Sequence, residues 1–284
     1  MIKRITLILL SFFYIINAQI ALPTFQAVHK PHTSSSSSGT VTFTNCSATG
    51  RLGPTQSQVN STYTSGNSLY NAVTINTQGI QEWTVPATGT YTIESWGAQG
   101  GGVSVAGLGA RIKGDFDLSQ GDVIKIVVGQ QGGAAGGNNT TSGGGGSFVI
   151  KSPYNSNASS LVIAGGGGGS PGNSDYQAGG DDDGQTSTSG ARGYGATSYS
   201  VGGSDGNGGS SSRRAAAGGG FFTDGADNGQ SASYGTGGEA FVNGAEGGEN
   251  LYNQGIDGGF GGGGSGMVSG YRGSGGGGGG REHE

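Results

Sequence analysis

Sulfur chemistry is almost absent from this chain: Cys46 is its single cysteine. That excludes an intrachain disulfide and any cysteine-built metal cluster. Histidine is nearly as scarce. His29, His32 and His283 are the only three, all outside residues 41–280, so no imidazole base lies within that stretch. Cys46 therefore has no histidine companion and reads as a buried or free thiol rather than a nucleophile. Charge is sparse too, at 11% of residues with a formal net of −5. Beyond Lys3-Arg4 the only adjacent basic pair is Arg213-Arg214. Without a cationic face to displace counterions, nucleic acid is excluded as a partner.

Signatures of nucleotide chemistry are also missing. No Gly-x-x-x-x-Gly-Lys phosphate loop occurs among the many glycines. Asp115-Phe116-Asp117 has only a superficial likeness to a kinase Asp-Phe-Gly element, and the companion motifs are lacking. Asp181-Asp182-Asp183 supplies hard oxygen ligands, but neither EF-hand spacing nor Gly-Gly-x-Gly-x-Asp repeats surround it, so it reads as a solvated acidic loop. The expectation is a non-catalytic chain with no cofactor and no metal, without ATP hydrolysis or kinase activity.

One apolar run is present, at residues 5–16. It follows the basic pair Lys3-Arg4 and precedes the small residue Ala18. This order is that of a secretory signal over residues 1–18, cleaved before Gln19. An uncleaved anchor is the alternative, but spanning a bilayer takes about 20 apolar residues. No later segment is apolar enough to span. Residues 19–40, with Pro23, Pro31 and the serine run 34–38, read as a flexible spacer. Residues 41–280 read as one glycine-rich domain, and residues 281–284 as a tail. Of the 67 glycines only six precede Gly97, so the domain has two compositional parts, a β module at 41–128 and glycine-rich helices, strands and loops at 129–280. An exported domain of this size without disulfides must be held by hydrogen bonds and packing.

The first part carries short β-branched and aromatic runs separated by turn residues, at 41–43, 73–75, 81–85 and 91–96. Residues 110–116 and 123–128 read as a further antiparallel pair joined by Ser119-Gln120-Gly121-Asp122. The second of these alternates only partly, which implies burial on both faces. Nothing in residues 41–128 reads as a helix, and none longer than a turn or two is expected there. The expected core is Phe43, Ile75, Trp83, Val85, Tyr91, Ile93, Trp96, Ile112, Phe116, Leu118, Ile124, Ile126 and Val128. In the second part, glycines 143–146 run into Ser147-Phe148-Val149-Ile150, and Ser160-Leu161-Val162-Ile163-Ala164 runs into glycines 165–169. A linker has no reason to embed two matched strands between glycine runs.

Two states are open to the tracts. One is flexible coil, which the backbone entropy of glycine favours. The other is a set of packed three-residue-per-turn helices of the polyglycine II type, bonded to one another rather than internally. Collagen is excluded, because no strict Gly-X-Y period exists and prolines number only six. Phe148, Phe221, Phe222, Phe241 and Phe260, which a linker would not need, favour order. Candidate N-glycosylation sequons stand at Asn45, Asn60, Asn139 and Asn157.

A specific resemblance rests on three stretches: Phe43-Thr44-Asn45-Cys46-Ser47-Ala48-Thr49-Gly50, Gly53-Pro54-Thr55-Gln56-Ser57-Gln58, and Gly79-Ile80-Gln81-Glu82-Trp83-Thr84-Val85-Pro86-Ala87-Thr88. Tyr91-Thr92-Ile93, Gly97-Ala98-Gln99-Gly100-Gly101 and Val127-Val128-Gly129-Gln130-Gln131-Gly132 continue it. Together they resemble the glycine-rich extracellular domain of the anaplastic lymphoma kinase and leukocyte tyrosine kinase receptors. The resemblance implies an all-β fold: a tumour-necrosis-factor-like, jelly-roll-type sandwich with an inserted layer of polyglycine II-type helices. It also implies a part in binding a protein ligand. Three departures limit it. Those receptors have a second cysteine where Val59 stands, residues 1–284 contain no transmembrane or kinase segment after the domain, and no closing strand is expected in residues 281–284, which reads as an incomplete C-terminus or a truncated gene product. The function expected is a secreted or cell-surface binding or adhesion module, with the plasma membrane as its place only if a C-terminal anchor exists. The alternatives are the ligand-binding ectodomain fragment of a receptor tyrosine kinase and a structural surface or matrix scaffold.

Overall fold

In the computed structural model of the chain, the described residues are 28–29, 38–102, 106–135, 140–169, 183–190, 202–211, 215–229, 231–252, 255–266, 268–269 and 271–272. In chain order, β1 (Val28–His29) and β2 (Ser38–Gly39) form a two-residue ladder. The helix α1 (Gln56–Thr62) follows, then β3 (Val73–Thr77), β4 (Ile80–Thr84), β5 (Gly89–Trp96), β6 (Arg111–Leu118) and β7 (Val123–Val127). After them come β8 (Ala134–Ala135), β9 (Thr140–Thr141), β10 (Ser147–Lys151), β11 (Ser160–Ala164), β12 (Val268–Ser269) and β13 (Tyr271–Arg272).

The fold is β-rich and sandwich-like. One layer is a five-stranded antiparallel sheet in the order β11-β10-β7-β4-β3; the other is the β5-β6 pair. A two-stranded ribbon is marginal in water by itself, and this one packs against β10 and β11 of the larger sheet. Tyr91, Ile93 and Leu118 from the ribbon meet Trp83, Ile124, Ile126, Val149 and Leu161 from the sheet in one buried cluster. The opposite face of the same sheet is also covered. Ile80, Val127, Phe148, Ile150 and Ile163 point into a second cluster with Phe221, Phe241, Ala245 and Phe260 from the glycine-rich part. Neighbours such as Ile126 and Val127 thus serve opposite cores, which explains why β7 lacks clean alternation.

Four expectations are corrected. Residues 56–62 are helical, although only Val59 on that helix is buried. A capping box starts it, with Thr55 Oγ1 accepting from the Gln58 N–H and the Gln58 side chain accepting from the Thr55 N–H. Residues 41–43 are no strand: Val41 is buried by packing alone. β6 and β7 do not pair with each other. The turn is present, with the Ser119 N–H donating to Asp122 Oδ2 at 2.8 Å, but the Asp122 carbonyl takes the Val85 N–H and commits β7 to the sheet of β4. Trp96 is 46% exposed, because strand alternation from Tyr91 and Ile93 turns it outward with Glu94, beneath the Arg111 guanidinium. Phe43, Ile75, Ile112, Phe116 and Val128 pack against the inter-sheet cluster while only partly buried.

The core also holds residues that the sequence patterns left out, Cys46, Val59, Tyr63 and Leu69. The Tyr63 hydroxyl donates to Gln81 Oε1 at 2.9 Å and accepts from the Thr44 N–H at 2.9 Å, while Gln81 Nε2 donates to the Thr44 carbonyl at 2.8 Å. This closed polar triangle satisfies a fully buried glutamine. Burial pushes the Tyr63 phenol well above its ordinary pKa. Cys46 is a buried free thiol whose Sγ lies 3.6 Å from the Thr44 carbonyl.

Candidate functional site

The glycine tracts grow directly out of the strands. Residues 97–101 continue β5, 106–110 lead into β6, 129–133 continue β7, 142–146 lead into β10 and 165–169 continue β11. Adjacent strands lie about 4.8 Å apart, and the tracts stay close enough to hydrogen-bond.

Their bonds repeat every third residue. The Gly97 N–H donates to the Ala110 carbonyl at 2.9 Å and Gly100 to Gly107 at 3.0 Å, whereas Ala98 donates to Gly145 at 2.9 Å and Gly101 to Ser142 at 2.8 Å. Residues three apart thus address one neighbour, and the residues between them address another. The tract 142–146 shows three directions at once. Ser142 and Gly145 donate to Gly133 and Gln130, Gly143 and Gly146 to Gly264 and Gly261, and Gly144 to Gly167. In each pair the partner number falls by three as the donor number rises by three, so these neighbours are antiparallel. The pattern recurs farther out, where Ala216 and Gly219 donate to Ser265 and Gly262, and Thr236 and Glu239 to Glu249 and Glu246.

Glycine is required at these contacts. A Cβ at Gly144 would lie against the Ala98 carbonyl oxygen, one at Gly145 against that of Phe260, and one at Gly167 against that of Gly107. Aromatic rings pin the layer to the sheet. Phe241 sits 5.6 Å from Phe148 and 5.4 Å from Phe221, centroid to centroid. The Phe260 ring occupies the space that side chains at Gly53 and Gly79 would fill, and both of those glycines have positive φ. Phe222 is only partly buried.

A clasp joins the 47–53 loop to this layer. The Phe260 N–H donates to the Gly50 carbonyl at 2.8 Å, the Gly247 N–H donates to the Arg51 carbonyl at 2.9 Å, and the Arg51 guanidinium reaches Glu246 and, at 3.5 Å, Glu249. The cavity beside it, about 310 Å³, is lined by Arg51, Asp224, Asp227, Glu239, Glu246 and Glu249. Asp224 is held by the Ala240 N–H and the Asn243 amide, Asp227 by the Gly237 N–H. Burial, then Glu246 and Asp224, push the Glu239 carboxyl above its usual pKa, with Arg51 opposing. Five carboxylates against one guanidinium make a groove more hospitable to a cation than to phosphate. No local sequence signal marked it, since Arg51 and Glu246 are 195 residues apart.

The candidate sequons fall in different settings. Asn60 is exposed on α1, and Asn157 is exposed in the 3-10 turn Asn157–Ser159, where Ser159 is buried with its hydroxyl donating to the Ser156 carbonyl. The half-buried Asn45 is turned onto its own chain: its Nδ2 donates to the Ala48 carbonyl at 2.9 Å and its Oδ1 accepts from the Ser47 N–H. Asn139 lies outside the described residues, as do Asp181, Asp182 and glycines 275–280. Asp183 accepts from the Leu108 N–H at 2.7 Å and so braces a glycine tract. Among the described residues no group of three or more His, Cys, Asp or Glu side chains is arranged to hold a metal, and no helix is long and apolar enough to cross a membrane.

No family model matches the chain. It is similar to the leukocyte tyrosine kinase receptor of Mus musculus, with 40% identity over 97 residues. That match takes in 31% of this chain and 11% of the receptor, so the chain spans about a tenth of the relative it matches. The similarity relates part of this chain to a region of that receptor.

Proposed function

We propose that this chain is an exported, non-catalytic binding module that presents its glycine layer to an extracellular protein as a rigid surface. In this reading the layer is a bundle of polyglycine II-type helices. The observation that carries it is the three-residue hydrogen-bond period of residues 97–101 and 142–146. Coil would leave those amides to water, whereas packed three-residue-per-turn helices must bond laterally because they have no internal hydrogen bonds. The similarity to a region of a receptor kinase supports an extracellular binding role.

Expression of residues 1–284 in a secretory host tests export: the reading requires protein in the medium or on the cell surface, beginning at Gln19. Retention inside the cell with residues 1–18 intact would overturn it. Purified protein from Gln19 to Glu284 should show no ATP turnover. A turnover abolished by one point substitution would refute the non-catalytic part. A second reading, the ectodomain portion of a receptor tyrosine kinase, is favoured by the same receptor similarity. The coding DNA downstream of Glu284 separates the two, since a transmembrane and kinase segment there selects the second. A matrix scaffold would show no saturable binding to any cell surface.

A further inference from the structure

Beside the acidic groove lies an asparagine followed by glycine, Asn243-Gly244. Two other such pairs occur in the chain, Asn207-Gly208 and Asn228-Gly229. In an Asn-Gly pair the glycine nitrogen can reach the carbonyl carbon of the asparagine side chain, because no side chain on the second residue blocks the approach. The fold treats the three pairs differently. Asn228 is only 5% exposed, which keeps out the water that would finish the reaction. Asn207 is exposed, but the Gly208 N–H is committed to Thr223 Oγ1 at 2.9 Å. Asn243 is exposed at the end of the 3-10 turn Phe241–Asn243, and the Gly244 N–H reaches the Phe241 carbonyl only at a stretched 3.3 Å.

Two carboxyl groups flank this third pair. Asp224 Oδ1 accepts from Asn243 Nδ2 at 2.8 Å, and the same oxygen accepts the Ala240 N–H at 2.7 Å, which fixes its position. Glu239 Oε2 lies 3.0 Å from where a Cβ on Gly244 would stand. One carboxyl group is thus beside the residue that would attack and the other on the nitrogen that would leave, the two places where a proton must be taken and delivered.

We propose that Asn243-Gly244 is a self-modification site, at which the folded chain converts Asn243 to aspartate or isoaspartate with Glu239 and Asp224 moving the proton. The Gly244 nitrogen bonds to Asn243 Cγ, the Cγ–Nδ2 bond breaks, and the proton from Gly244 departs with Nδ2 as ammonia. Water then opens the five-membered imide at either carbonyl, and nothing is oxidised or reduced. The aspartate product sets a carboxylate where the Asn243 amide met Asp224. Like-charge repulsion there replaces a hydrogen bond, in a groove that already holds Glu239 and Glu246. The turn this loosens carries Phe241, one of the rings that join the glycine layer to the sheet. The conversion is a one-way release of that ring, independent of the binding role proposed above.

Peptide mapping by mass spectrometry of the chain from Gln19 to Glu284, incubated at neutral pH, tests the site. Asn243 should convert at least about tenfold faster than Asn207 or Asn228, and at least about tenfold faster in the folded protein than in urea, where the carboxyl groups no longer stand beside it. Asp224→Asn keeps an oxygen for the Ala240 N–H and the Asn243 amide but removes the proton carrier. It should slow conversion at Asn243 by at least about tenfold and leave Asn207 unchanged. Asn243→Asp should melt lower at neutral pH than Asn243→Ser, which loses the amide without gaining charge. Conversion at Asn243 no faster folded than denatured would overturn the assisted reaction, and that comparison needs no variant to fold. A parent-like rate in Asp224→Asn would remove Asp224 from the reaction, and equal melting of the two Asn243 variants would refute the release.

Discussion

At the residue scale, stability turns on what glycine omits. Gly167 donates its N–H to the Ala98 carbonyl and accepts from Gly144, and a Cβ there meets the backbone of Gly107 and Leu108. Backbone cannot rotate aside as a flexible side chain can. Gly167→Val should therefore cost about 3 kcal/mol or more, or prevent folding. Gly66→Ala, where an added Cβ meets nothing within 4 Å, should fall within about 0.5 kcal/mol of the parent. Equal denaturation midpoints for the two variants would refute the packed layer.

Glu239 gives a second residue-scale prediction. Its folded pKa is raised above the ordinary value of 4.5, so the folded state holds this proton more tightly than the unfolded chain does. The resulting stability is present below about pH 4.5 and is lost as pH rises through the raised folded value. Glu239→Gln should flatten that decline and raise the melting temperature at neutral pH. A parallel pair of melting curves from pH 4 to 7 would show that Glu239 feels no such field.

At the element scale, each tract has its own protection. The amides of residues 143–146 are all bonded, each to a carbonyl of another tract, so hydrogen exchange there should be slow, as should exchange at Gly167. The amide of Gly66, in an exposed turn, should exchange almost at once. Fast exchange across 143–146 would return the tracts to linker status.

The same scale shows what was legible in the sequence. β4, β5, β10 and β11 were readable because alternation, aromatics and flanking turn residues agreed, and because matched strands framed by glycine are improbable in a linker. Trp96 was misplaced by its size, although counting outward from Tyr91 and Ile93 puts it on the solvent face. α1 was hidden, since Gln56-Ser57-Gln58-Val59-Asn60-Ser61-Thr62 has a single buried apolar residue and no helical period. Its one local signal was the Thr55-x-x-Gln58 capping box after Pro54. The acidic groove joins residues distant in sequence through the tertiary fold, and no pattern within one segment carries it.

At the scale of the whole molecule, sandwich and glycine layer form a single mechanical unit. Five tracts are continuations of strands, so a register set in the sheets, such as Ser147 opposite Ala164, carries into the bonds between Gly144 and Gly167. Two of the five strands in the larger sheet, β10 and β11, lie between glycine runs. The layer in turn covers one face of that sheet through Phe221, Phe241 and Phe260. Neither part holds by itself. Glycine loses more backbone entropy on ordering than any other residue, and each backbone hydrogen bond returns only about 1 kcal/mol net. The layer must therefore borrow order from the strands that feed it. Without the layer, Val127, Phe148, Ile150 and Ile163 would face water, at about 1.5–3 kcal/mol for each large side chain. The chain should therefore unfold in one transition. Calorimetric and van't Hoff enthalpies should agree, and the amides of residues 143–146 should lose protection at the same denaturant concentration as those of β4 and β7. Earlier loss in the glycine tracts, with β4 and β7 still protected, would show a sandwich that stands alone and a layer merely attached to it.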